Sequence, residues 1–239
     1  MFSTDDAGVG SLASRALRLG CATWLAALAA LVVCMTAAAQ SDEFAANARL
    51  MGSIRNEDAA GVERALRDGA AVDAHNRLGE SALLAAIKKN RADIARTLLA
   101  AGANVNDAAV NGITPLMAAA YAGDAALARE LLARGAKADA VDRIGKNAIT
   151  YAAGEGHTEI VRLLIAGGVD PNAVYRNDLT ALMWAAGYGH TETVRALLDA
   201  GARADLRDNR GKSALDMARE FRHSDTVELL ELAGRPATK

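Results

Sequence analysis

From Ser41 onward, hydrophobic and polar positions recur with a period of 33 residues. Leucine or isoleucine stands at Leu50, Leu83, Leu116, Ile149, Leu182 and Leu215, and glycine at Gly69, Gly102, Gly135, Gly168, Gly201 and Gly234. A third series, Gly79, Gly112, Gly145, Asp178 and Gly211, keeps the same register with one substitution. Three series in one register mark a tandem repeat whose units are too small to bury an apolar face alone and do so by stacking. Within each unit the pattern is helical. Ser81, Thr114, Asn147, Thr180 and Ser213 carry short side chains of the kind that cap a helix N-terminus, and Pro115 follows one of them at the first helical position.

The caps predict a first helix of about nine residues. It carries Ala86, Ala119, Ala152, Ala185 and Ala218 on its packed face and stops at Asn90, Gly123, Gly156, Gly189 or Arg222. A second helix is predicted to open near Thr158, Thr191 and Ser224, with Glu159, Glu192 or Asp225 in the first turn, where the helix dipole favours an acid. Its apolar stripe ends in Leu98-Leu99, Leu131-Leu132, Leu164-Ile165 and Leu197-Leu198, directly before the left-handed glycine that terminates it. The link to the next unit reads as an extended finger, braced by Asp73, Asn106, Asp139, Asn172 and Asp205 through bonds to local backbone amides. Asp178 stands where a turn glycine is expected, and aspartate tolerates the left-handed conformation at some cost, so that finger is expected to differ in shape.

Composition agrees with helices. The chain has 239 residues, 51% of them hydrophobic, enough for a sizeable or continuous core. Only 4% are aromatic and alanine is abundant, which suits closely packed helices better than a sheet. The formal net charge of -2 implies no polyanionic partner.

The first 39 residues follow a different rule. Arg15 and Arg18 precede an apolar run from Leu19 to Met35, and Ala37-Ala38-Ala39 then leads to Gln40. That order reads as a secretory signal cleaved after Ala39. An uncleaved anchor is the alternative, although the run sits at the lower limit of a membrane span and contains Gly20 and Thr23. Lipid attachment at Cys34 is disfavoured because Val33 occupies the place of a small residue. Both cysteines, Cys21 and Cys34, fall in this leader, so a chain starting at Gln40 has no thiol for catalysis or metal binding.

Gly112-Ile113-Thr114-Pro115-Leu116 and Gly156-His157-Thr158-Glu159-Ile160-Val161, followed by Leu163-Leu164, resemble the ankyrin repeat. The resemblance spans roughly residues 41–234 and implies an all-α ankyrin-type solenoid of helix-turn-helix units joined by β-hairpin-like fingers. It divides the chain into a signal peptide (1–39), an N-terminal capping repeat (40–74), four repeats (75–206), a C-terminal capping repeat (207–234) and a tail (235–239). The first unit keeps only second-helix signals such as Leu66 and Gly69. The family's usual histidine after the Thr-Pro-Leu signature is replaced by Leu84, Met117, Thr150, Met183 and Asp216, which removes the finger bracing that residue supplies.

Chemical sites are sparse. His157, His190 and His223 lie one repeat apart, and helices pack roughly 8–10 Å apart, too far for one zinc ion with ligands at about 2 Å. Gly211-Lys212-Ser213 lacks the first glycine of a phosphate loop, since Leu206 stands there, and no Gly-x-Ser-x-Gly elbow is present. Finger arginines are interleaved with Asp142, Asp178 and Asp208, which argues against nucleic acid. No cofactor or metal is expected.

The resemblance places the first helices and fingers on a concave side. Met117, Tyr121, Arg143, Tyr175, Arg176, Met183 and Tyr188 are the candidate partner-binding residues there, since aromatic residues, methionine and arginine are enriched in interface cores. Tyr151 and Trp184 read as packing residues. The expected activity is non-enzymatic binding of another protein by a monomer outside the cytoplasm, in the periplasm if the host has two membranes, with membrane contact only through an uncleaved leader. An inhibitor or immunity-type protein that blocks an envelope or secreted enzyme is the alternative.

Overall fold

The computed structural model describes residues 42–234. The leader and the tail fall outside them. Twelve α-helices follow one another in pairs among the described residues: α1 (42–55), α2 (Ala59–Arg67), α3 (Ala82–Lys88), α4 (Ala92–Ala100), α5 (Pro115–Ala122), α6 (Ala125–Ala133), α7 (Ala148–Gly154), α8 (Thr158–Ala166), α9 (Ala181–Gly187), α10 (Thr191–Asp199), α11 (Ala214–Glu220) and α12 (Ser224–Ala233). From α3 onward, each odd-numbered helix packs on the even-numbered one after it and on the odd-numbered helices of adjacent repeats, giving an all-α repeat solenoid. The first repeat is a complete pair. Its α1, preceded by no finger among the described residues, is the longest helix and buries Ala46, Leu50 and Ile54.

Local chemistry explains the helix starts. The side chains of Ser81, Thr114, Asn147, Thr180 and Ser213 each accept a hydrogen bond from the backbone amide three residues on. In two repeats the third residue returns the bond: Thr150 and Asp216 accept from the amides of Asn147 and Ser213 and so close capping boxes. The alanines one turn further in are fully buried. With only a methyl group between backbones, the first helices pack on each other more extensively than the second helices do, and the first-helix row becomes the inner wall of a curved stack.

The inter-helix turn holds a residue with positive φ in every repeat: Glu57, Asn90, Gly123, Gly156, Gly189 and Arg222. It is glycine in three of them for a second reason. His157, His190 and His223 lay their rings over Gly123, Gly156 and Gly189, and a Cβ there would come within 2.6 Å, 2.6 Å and 2.5 Å of ring atoms. The ring Nε2 atoms meet the carbonyl oxygens of Tyr121, Gly154 and Gly187 in the preceding repeat, at 3.0, 2.9 and 3.1 Å. Where the following repeat carries Asp124 instead of histidine, the left-handed residue is Asn90. Asp124 caps its own helix by accepting from the Leu127 amide, and reaches no neighbour for that purpose. Aspartate at this position serves its own repeat; histidine stitches two together.

Two further ladders cross between repeats. Thr158 and Thr193 hydroxyls meet at 2.8 Å, as do Thr191 and Thr226, with Thr193 and Thr226 buried. Asn106 accepts from the Lys137 amide and donates to the Gly135 carbonyl, and Asn172 does the same with Arg203 and Gly201. Asp73 accepts from the Asn104 amide. These residues therefore tie one repeat to the next, and the local bracing expected of them is made elsewhere. Asn76, Asp142 and Asp208 each accept from the amides two and four residues on, closing the finger turns. The fingers are tight turns. They contain one isolated bridge, His75 with Ser81, and no strand among the described residues.

The expected irregular finger occurs at Arg176–Asp178, a single 3-10 turn in which both Asn177 and Asp178 take positive φ. Gly234 departs from its series: its φ of -82° continues the helical path of α12.

Gly156→Ala is expected to destabilise the stack by about 2 kcal/mol, since it meets both left-handed strain and the His190 ring. Adding His190→Ala to that variant should recover the clash but not the strain. Equilibrium denaturation of the two single variants and the double variant measures the coupling, and full additivity would remove the proposed contact.

Candidate functional site

The inner wall carries two open apolar grooves. The first, of about 330 Å³, lies between α3 and α5, with Ile87, Ile113 and Tyr121 on its sides and Tyr151 at one end. The second, of about 520 Å³, lies between α9 and α11 and is formed by Leu179, Trp184, Tyr188, Met217 and Phe221, with Arg210 at its rim. Tyr121 is 56% exposed and packs edge-on against Tyr151, with ring centroids 6.1 Å apart. Tyr188 is 59% exposed and stacks on Trp184 at 6.1 Å, its other neighbour being the His190 ring at 6.3 Å. Phe221, 60% exposed, closes the far side. Large rings held at this level of exposure by neighbouring rings are preordered for contact, since little side-chain freedom remains to be lost on binding.

Lys146 stands between the grooves. Lys146 places its ammonium 3.8 Å from the centre of the Trp184 ring and 5.3 Å from that of Tyr151. Partial burial pushes its pKa down, against the pull of Asp142 and Glu155 in the other direction. The Tyr151 hydroxyl donates to Asp142 at 2.6 Å, and burial together with that carboxylate pushes its pKa well up. Asp142 is itself buried and also accepts from the amides of Ile144 and Lys146, so one carboxylate fixes both the finger turn and the Tyr151 ring.

The candidate residues divide into three groups. Tyr121 and Tyr188 face the grooves, and Arg143 and Arg176 are exposed at the tips of adjacent fingers. Tyr175 is half-buried. Its hydroxyl accepts from the Asn147 side chain at 2.8 Å, and burial raises its pKa, so it supports the finger instead of projecting from it. Met117 and Met183 are 1% exposed and are corrected to core residues. They stand at the third helical position, where the side chain points back beneath the finger, and they form the floors of the two grooves without presenting a surface. The space a polar bracing side chain would occupy is thus filled with apolar volume.

Sequence reasoning missed Phe221 and Lys146. Phe221 occupies the same register position as Tyr188, one repeat on, so its exposure was recoverable from the period. The Lys146 contact pairs a finger of one repeat with a helix of the next and leaves no mark in a single-repeat pattern.

No group of three or more His, Cys, Asp or Glu residues among the described ones is arranged to hold a metal ion, and the three repeat histidines are directed at backbone carbonyls. No helix among the described residues is long and apolar enough to cross a membrane.

Met183→Ala is expected to cost about 2–5 kcal/mol, as for other buried large-to-small changes. Tyr188→Ala, exposed in the groove, should cost less than about 1.5 kcal/mol. Chemical denaturation distinguishes the two, and equal costs would contradict the division into floor and wall.

No curated protein matches the sequence. The family model for ankyrin repeats matches it in three copies, at residues 50–142, 102–175 and 149–235. Ankyrin repeats generally mediate protein–protein interaction and are typically non-enzymatic. Matched by that model over most of its length, and folded as stacked helix pairs with left-handed turns in a fixed register, the chain belongs to the ankyrin-repeat family.

Proposed function

We propose that the chain is a non-enzymatic binding module that works outside the cytoplasm and holds another protein on the inner wall of its repeat stack. The observation that carries the reading is the pair of apolar grooves walled by Tyr121 and by Tyr188, Trp184 and Phe221. Scattered exposed apolar residues are ordinary on a protein surface, but ones grouped around formed grooves mark a binding site. The back of the stack supports the same orientation. Its exposed charges are largely joined in ion pairs between and within second helices, such as Arg129 with Glu159 and Arg134 with Glu130, which makes a solvated outer face.

Export rests on the leader: two arginines, an apolar run and a small-residue stretch before Gln40. The cysteine-free remainder suits an oxidising compartment, having no thiol to mispair.

Combining Tyr121→Ala, Tyr188→Ala and Arg176→Glu should abolish partner capture while shifting the melting temperature by only a few degrees. Capture from the exported compartment with the intact chain and the triple variant as baits, read by mass spectrometry, tests this; undiminished capture by the variant would exclude the inner wall.

Alkaline phosphatase fused behind residues 1–40 should be active in a bacterial host, because the enzyme needs an oxidising compartment. An inactive fusion would remove export from the proposal.

A further inference from the structure

The two grooves lie three repeat steps apart along the inner wall, from the α3–α5 interface to the α9–α11 interface. At roughly 8–10 Å per step their centres are about 27 Å apart. An extended chain advancing about 3.3 Å per residue covers that distance in about eight residues. Each groove has room for one or two large apolar side chains, and between them lies a smaller, more polar depression of about 250 Å³ lined by Lys146, Tyr175, Arg176 and Trp184.

Charge adds a second condition. Between the grooves, the finger tips present Arg143 and Arg176 one repeat apart, both exposed and neither joined in an ion pair among the described residues, with Arg176 lining the depression there. The fingers are held close together: the Arg143 amide donates to the Asn111 carbonyl, and a Cβ on Gly145 would lie 2.7 Å from Cβ of Arg176. Nearby acids are otherwise engaged. Asp142 is buried in its turn and bound to Tyr151, and it acts with Glu155 on Lys146. Asp178 is the exposed carboxylate on these two tips and is outnumbered by the two guanidinium groups. Arg210, by contrast, is neutralised by Asp208 at 2.8 Å.

We infer that the partner contributes an extended acidic segment with two large apolar anchors about eight residues apart, one seated in each groove and the acids between them facing Arg143 and Arg176. This deepens the proposed function and rests on it. Anchors supply most of the affinity in such an arrangement, and the arginines set direction and charge preference.

The test is selection of random peptides of about fourteen residues, displayed on phage, against the full-length chain, long enough to span both grooves. Recovered sequences should carry two aromatic or large aliphatic residues seven to nine positions apart, at about the predicted spacing, with Asp or Glu between them. Synthetic versions should bind at least about tenfold more weakly to the Arg143→Glu/Arg176→Glu chain, read by fluorescence anisotropy, with its melting curve unchanged. Tyr121→Ala should make one anchor dispensable and Tyr188→Ala the other. Basic or neutral consensus sequences, a single anchor, or indifference to the two arginine changes would overturn the inference while leaving inner-wall binding intact if Tyr121→Ala or Tyr188→Ala still weakens it. Failure to recover any peptide sensitive to either tyrosine would overturn the inference and the proposed function together. A concentration-dependent dimer dissolved by Tyr188→Ala would assign the grooves to a second copy of the chain instead.

Discussion

Close approach of the first helices through buried alanine is the constraint on which the rest of the molecule depends. Ala86, Ala119, Ala152, Ala185 and Ala218 are fully buried between repeats, where a larger side chain would force the backbones apart. Tight packing along this row, and looser packing along the second helices, bends the stack toward the first-helix side. The bend in turn brings residues of different repeats within reach of one another, so that Tyr151 meets Tyr121, and Lys146 meets Trp184. The inner wall is therefore a product of small residues buried behind it.

Polar bonding between repeats is distributed unevenly along that frame. The histidine stitches and threonine pairs run from the third repeat to the last, whereas the N-terminal repeats combine the Asp73 and Asn106 bonds with charged contacts such as Arg91 with Glu57 and Arg96 with Glu130. Exposed ion pairs contribute little and weaken with salt. The hydroxyl pairs, each with one buried member in Thr193 or Thr226, are screened less. The larger groove thus sits in the better-fastened part of the stack, where its walls keep their spacing.

Most of the fold could be read from residue types at fixed intervals, because capping, left-handed turns and helix termination are local events with local signatures. Thr114 before Pro115 and the glycine after each leucine pair needed only neighbours in sequence. What escaped was contact between units. Asn106 and Asn172 have the short polar side chains that turns favour, and nothing local reveals that their partners are Lys137 and Arg203. Met117 and Met183 read as interface residues by type, but the backbone direction at the third helical position sends them inward. Tyr175, a candidate contact by residue type, is instead recruited by Asn147, the cap of the preceding repeat. Exposure at the site depends on which side chains the next repeat places overhead, and that information is spread over two periods.

The stitches also govern how such a chain can change length. The asparagine bonds join residues 29 and 31 apart, the threonine pairs 35 apart and the histidine bonds 36 apart, identically wherever each kind recurs. Insertion or loss of one complete unit preserves every one of these intervals, because donor and acceptor are renewed together. Removal of a single residue between partners shifts a whole rung out of line. Evolution and engineering of this protein are accordingly quantised: whole units can be duplicated or excised to lengthen or shorten its reach, while a single-residue indel breaks the register of every rung that spans it, including the tip-to-tip bonds from the Arg143 amide to Asn111 and from the Asn209 amide to Asn177.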